Sequence, residues 1–71
     1  MKYAIVIEKG NTSYGAYVPD LPGCVAAANT KKEVINLIKE AIKLHLEGMK
    51  EDGTPIPKPY SEAEYVEVST A

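Results

Sequence analysis

One histidine, His45, one cysteine, Cys24, and 10 acidic side chains are the groups that could take part in acid–base, nucleophilic or metal chemistry. A catalytic histidine needs access and a partner, commonly a carboxylate, within hydrogen-bond reach. The residues at helical spacing from His45 are Ile38, Ala41, Ile42 and Met49. They offer neither, so His45 reads as a core or interface residue. A nucleophilic cysteine wants a base and an electropositive setting to lower its pKa. Cys24 follows Gly23 at the start of an expected strand, in a chain without arginine, and reads as a small buried hydrophobe. Glu8, Asp20, Glu64 and Glu67 lack the clustered spacing with which carboxylates hold magnesium for nuclease chemistry. Asp20 lies in Pro19-Asp20-Leu21-Pro22, where an aspartate accepting backbone N–H bonds is the plain explanation. Gly10, Gly15 and Gly23 make no phosphate loop, because no helix follows a glycine-rich turn directly. The sequence therefore offers no catalytic, cofactor-binding or metal-ligating set. Its 5 tyrosines are a better lead, since tyrosine gives large contact area at low entropy cost.

The elements that position these groups follow from periodicity. Lys2 to Glu8 alternates Tyr3, Ile5 and Ile7 with Ala4 and Val6, apolar on both sides, which predicts a strand covered on two faces and central in its sheet. Lys9 to Ser13 is a polar hairpin turn. Tyr14 to Val18 resumes alternation, placing Tyr14 and Tyr17 on opposite faces. Pro19, Asp20, Leu21, Pro22 and Gly23 then form a rigid corner, and Cys24 to Ala28 a third strand of small residues that something packs closely against. Thr30 and Glu33 have the spacing of a capping box, with the hydroxyl accepting from the Glu33 N–H and the carboxylate reaching back to the Thr30 N–H. The helix runs to about Glu51 and stops at Asp52-Gly53. Thr54 to Pro59 is a stiff, proline-rich crossing, and Tyr65-Val66-Glu67-Val68 is expected as a final strand. The predicted fold is α+β, a β-β-β-α-β order with an antiparallel three-stranded meander, one long helix packed on the sheet and a last strand.

At about 100° per residue, Val34, Ile38, Ala41, His45 and Met49 form the centre of one helix face. Ile35, Ile42 and Leu46 flank it on one side, Leu37 and Leu44 on the other. The apolar arc spans roughly 200°, about twice the width one buried face requires. One sheet face does not cover such an arc, so the proline-rich tail, a second copy or another protein must shield a flank. Tyr14, Tyr17, Leu37, Leu44, Leu46, Tyr60 and Tyr65 are the candidate interface residues.

Size and charge bound the function. Residues 1–71 make one domain, which buries only about 60% of the surface of its unfolded form. A single cysteine permits no internal disulfide, and Cys24 with His45 makes no structural zinc site. Oligomerisation or partner binding is the remaining source of stability besides very good packing, and a homodimer or homotetramer is expected. The lone cysteine fits a reducing compartment. No secretory signal pattern opens the chain, and its apolar runs fall far short of the roughly 20 residues of a membrane helix. A cytoplasmic location follows as an expectation. With 8 basic and 10 acidic residues, a net charge of −2 and no arginine, direct binding of nucleic acid by this chain is not expected.

Three ordered motifs resemble the HicB-like antitoxin family: Tyr14 to Val18 leading into the V-P-D-L-P-G-C turn from Val18 to Cys24, the T-x-x-E helix start from Thr30 to Glu33, and the G-x-x-I-P-x-P exit from Gly53 to Pro59. The resemblance covers nearly the whole chain. It implies a partial ribonuclease H-like fold without a nuclease site and a non-enzymatic role as the inhibitory half of a type II toxin–antitoxin pair. The partner it implies is a HicA-like toxin, a small basic ribonuclease that cleaves mRNA. Longer family members carry a C-terminal DNA-binding segment; this chain ends at Ala71, just after its expected last strand, and reads as a short form lacking it. The acidic Glu62, Glu64 and Glu67 suit a basic partner. Two other readings stay open: an orphan homo-oligomeric scaffold or ligand- or protein-binding module without a toxin, and a residual metal-dependent nuclease.

Overall fold

The computed structural model describes residues 1–70, with strands β1 (Val6–Lys9), β2 (Tyr14–Tyr17) and β3 (Val25–Ala28) followed by helix α1 (Lys31–Glu51). The strands form an antiparallel meander in the order β1-β2-β3. The polar turn between β1 and β2 is closed by the Gly10 N–H donating to the Ser13 carbonyl at 2.8 Å. Ile7, Ala16 and Ala26 stand opposite one another across the three strands, as do Val6, Tyr17 and Val25 on the reverse face. The first row joins the hydrophobic core under the helix. The second does not. This is the ordinary consequence of period-2 alternation in a sheet with one covered side.

The corner between β2 and β3 consists of two consecutive four-residue turns. The Leu21 N–H donates to the Val18 carbonyl at 3.1 Å, and the Cys24 N–H to the Leu21 carbonyl at 3.0 Å. Each turn has proline at its second position, where a φ near −65° is already required. In the second turn Gly23 takes φ +85°, the left-handed value that the third position of a type II turn demands. The Val18 N–H then donates to the Cys24 carbonyl at 3.1 Å and closes the loop. This geometry turns Leu21 inward, where its side chain has no solvent exposure at all. Val18, Leu21 and Cys24 join Ala16, Val34 and Ile38 as the buried core.

Helix α1 starts as its cap dictates. The Glu33 N–H donates to Thr30 Oγ1 at 3.1 Å, but the expected return bond differs: the Thr30 hydroxyl itself donates to the Glu33 carboxylate at 3.0 Å. One hydroxyl thus serves as both acceptor and donor. At the other end the Gly53 N–H donates to Lys50 and the Thr54 N–H to Met49, with Gly53 at φ +71°. That is the Schellman arrangement, and it satisfies carbonyls the helix would otherwise leave open. The helix packs on β3 and β2. Ala26 and Ala28 make this close approach possible, since their side chains add little thickness to the sheet.

Two expectations about the sheet are corrected. β1 is an edge strand, not the central one; β2 occupies the middle. Apolar residues on both sides of β1 signal an open edge beside a groove, because the helix sits over β2 and β3 and leaves the β1 side less covered. The final strand expected at Tyr65–Val68 does not form within one chain. Tyr65 is 99% exposed, and Val66 and Val68 are more than three-quarters exposed. Alternation gives this segment the capacity for pairing, but no strand edge of its own chain meets it. The radius of gyration, 14.2 Å, exceeds the about 11 Å of a compact domain of this length. The accessible area, 5878 Å², likewise exceeds the about 4,300 Å² expected at this mass.

Leu21→Ala removes the most deeply buried side chain of the corner and is expected to cost about 2–5 kcal/mol, whereas Thr30→Ala, a cap change, costs about 1 kcal/mol. Urea denaturation midpoints of the two variants check the order.

Candidate protein interface

The side chains singled out for chemistry lie in different parts of the fold, His45 on α1, Cys24 just before β3 and Asp20 in the corner. Among the described residues no three His, Cys, Asp or Glu side chains come close enough to hold a metal ion. Cys24 is buried, and its burial pushes the thiol pKa up, away from the nucleophilic thiolate. His45 is half-buried on the helix, one turn from the half-buried Ala41, Ile42 and Met49.

The candidate interface residues divide among separate places. Tyr14 and Leu46 are half-buried and pack against the core, so they complete the interior more than they offer a surface. Tyr17 stands on the reverse face of the sheet, 41% exposed, between Val6 and Val25 in register. The sequence reading missed Val25, 65% exposed, although strand parity with Tyr17 was the signal that could have found it. Leu37 and Leu44, seven residues apart and therefore two helical turns along one flank, are both exposed. Tyr60 and Tyr65 are exposed on the tail. The molecule thus presents an apolar row across the outer sheet face and an apolar strip along one helix flank.

Contacts distant in sequence fasten the tail. The Tyr3 hydroxyl donates to the Pro57 carbonyl. The Ser61 N–H donates to Asp20 Oδ2 at 2.9 Å, and the Ser61 hydroxyl to Oδ1 at 2.7 Å. Asp20 therefore does accept a backbone N–H, but from a residue 41 positions away and not from its own turn. Both carboxylate oxygens are engaged, which makes the corner an anchor for the tail. Neither Ser61 nor Pro57 carried a sequence signal for this role.

The sequence matches, over residues 3–70, the family model described as HicB_like antitoxin of bacterial toxin-antitoxin system. The chain belongs to the HicB-like antitoxin family. A Haemophilus phage HP1 relative, described as an uncharacterized 14.9 kDa protein in the rep-hol intergenic region, is 46% identical over 93% of this chain and 50% of its own length. The chain thus spans about half the length of that relative. UPF0150 protein Ta0767 of Thermoplasma acidophilum is 41% identical over 87% of this chain and 91% of its own length. Among solved structures, a chain of a HicA3 and HicB3 toxin-antitoxin complex superposes with a TM-score of 0.72 and 33% identity, covering 84% of this chain and 70% of that one. The α+β meander-plus-helix fold is therefore the fold of a HicB antitoxin. Among the described residues no helix is long and apolar enough to cross a membrane.

In this HicB-like chain the signature turn has a physical role at nearly every position. Pro19 and Pro22 set the two turns, Leu21 fills the core, Gly23 takes the left-handed conformation, and Asp20 clasps Ser61. The Ser61 backbone N–H holds the Asp20 carboxyl below its ordinary value, the Ser61 hydroxyl adds to this, partial burial opposes it, and the Tyr60 N–H contributes a little more. An undocked tail leaves Asp20 with the higher, ordinary pKa, so the undocked state binds the proton more readily. The clasp is expected to be fully formed above the usual aspartate range and lost as pH falls through the lowered pKa. Amide hydrogen exchange at Ser61 and NMR titration of Asp20 check this. Asp20→Asn should leave Ser61 exchanging faster at neutral pH, and an Asp20 titrating at or above its ordinary value would contradict the sign.

Proposed function

We propose that the chain acts as an antitoxin that binds and occludes a small basic ribonuclease of the HicA type, without catalysing a reaction itself. The observation that carries this reading is the match, at 33% identity and a TM-score of 0.72, to a chain of a HicA3 and HicB3 complex. Charge favours it as well. The chain carries a net charge of −2 and no arginine, so it suits a cationic protein partner better than a polyanion. The toxin-facing surface in this reading is the row of Val6, Tyr17 and Val25, an aromatic anchor flanked by apolar neighbours on a flat sheet face. Glu62, Glu64 and Glu67 on the exposed tail add acidic groups that would speed encounter with a basic partner.

The working form in this proposal is a homo-oligomer, a dimer or a tetramer. The accessible area in excess of a compact monomer, about 1,600 Å², is about twice what one partner contributes to an ordinary interface, enough for more than one contact. Leu37 and Leu44 supply an apolar strip for contact between copies. The fold as a whole is read as one HicB-like domain, located in the cytoplasm where its toxin would act.

Co-expression with a small basic ribonuclease of the HicA type is expected to relieve the growth arrest that ribonuclease causes and to yield a complex that purifies intact. Tyr17→Ala should weaken that complex by about 2 kcal/mol, roughly 30-fold in Kd, by calorimetry. Leu44→Glu should reduce the solution mass by light scattering. Failure of the unmodified pair to form a complex, with toxicity unrelieved, would sink the antitoxin reading.

A further inference from the structure

A groove opens beside residues 3–5, the segment that leads into β1. It is lined by Tyr3, Ile5, Ile35, Ile38, Lys39 and Ile42, and its volume is about 230 Å³. That is less than the about 300–1,000 Å³ of sites that enclose small molecules, and more suited to a few side chains. The groove exists because the helix lies over β2 and β3, leaving its Ile35–Ile42 flank apart from the edge strand. The outer edge of β1 has no strand beside it. An unpaired edge next to an apolar slot is the arrangement in which an added strand gains both backbone hydrogen bonds and side-chain burial.

The same chain carries a segment of the complementary kind. Glu64, Val66 and Val68 share one strand parity, Tyr65 and Glu67 the other. Two valines would enter the groove while Glu64 lies toward Lys39 on its rim, a match of charge as well as shape. The segment is exposed along its whole length. Its own chain directs it elsewhere: the tail passes Tyr3 at Pro57, then is pinned to the β2–β3 corner where Asp20 clasps Ser61. Only Glu62 and Ala63 separate that anchor from Glu64, which leaves little chain for a reversal back to β1.

We infer that residues Glu64–Val68 of one copy add as a strand along the outer edge of a second copy's chain where it enters β1, beside Tyr3 to Val6, with Val66 and Val68 in the groove between Ile5 and Ile35. The exchange is reciprocal, as a two-fold interface requires. It rests on the reading that the chain works as more than one copy, and it is separate from the Leu37–Leu44 strip on the opposite flank. With both contacts in use the assembly is a tetramer; with the tail contact alone it is a dimer.

The test uses the full chain. An Ile35→Cys protein mixed with a Val66→Cys protein under mild oxidation should give a disulfide-linked pair on a non-reducing gel, with the buried Cys24 thiol not taking part. The Ile35→Cys, Val66→Cys double variant at high dilution should link between copies; an internal disulfide at monomer mass would mean that the tail docks on its own groove and would overturn the exchange. In parallel, Val66→Asp with Val68→Asp should halve the solution mass by light scattering while the circular dichroism of the fold is unchanged. A cross-link that fails to form, with the mass of the aspartate variant unaltered, overturns the exchange but leaves oligomerisation through Leu37 and Leu44 standing. A monomeric unmodified protein overturns both.

Discussion

A helix of 21 residues lies on a sheet whose strands are 4 residues long, and this mismatch governs the molecule. At 1.5 Å per residue the helix is about 30 Å long, whereas a four-residue strand spans about 13 Å. The sheet can therefore fully bury only part of one helical face, and the residues with essentially no exposure are Val34 and Ile38, near its N-terminal half. The rest of the apolar arc must find other cover. Ile42 and Leu46 are half-buried against the core, whereas Leu37 and Leu44 remain in water. This flank and the exposed tail from residue 62 to residue 70 together give the excess of accessible area over a compact monomer. Contiguous exposed apolar surface of the kind formed by Leu37 and Leu44 commonly marks an interaction surface.

The corner and the tail compensate for the shortness of the sheet. Val18, Leu21 and Cys24 contribute half of the buried core although Leu21 lies in a loop. Two prolines and a left-handed glycine make this possible, because the loop loses little freedom when it folds around Leu21. The clasp between Asp20 and Ser61 uses the outer side of the same corner. One short loop thus fills the interior with Leu21 and holds the returning chain with Asp20. The signature that identifies the family has a structural role for this reason.

Features closed by nearby residues were legible in the sequence. The helix start at Thr30, the stop at Gly53, the hairpin turn before Tyr14 and the prolyl corner each follow from the conformational limits of a few adjacent residues. The small third strand under the helix was legible too, since Val25 to Ala28 leaves room for close packing. Pairing at a distance was not. Apolar residues on both sides of β1 have the same appearance whether covered by a neighbouring strand or left beside a groove, and period 2 carries no information about which. Tyr65 to Val68 has the alternation of a strand, but a strand needs an edge, and alternation says nothing about whose edge it is. The Asp20–Ser61 clasp joins residues 41 apart and leaves no local trace.

Charge completes the connection between this architecture and its use. An apolar row on a sheet face is a hazard for a monomer, because it invites association with anything similarly exposed. In the proposed reading, acidic groups on the tail and the lack of arginine would bias that association toward cationic proteins and away from nucleic acid. Repulsion between copies of a weakly acidic chain is small at a net charge of −2, so self-assembly is left open while polyanions are disfavoured. In the proposed antitoxin role such a surface would act by binding alone. Its selectivity comes from where the short sheet leaves the helix and the reverse face uncovered.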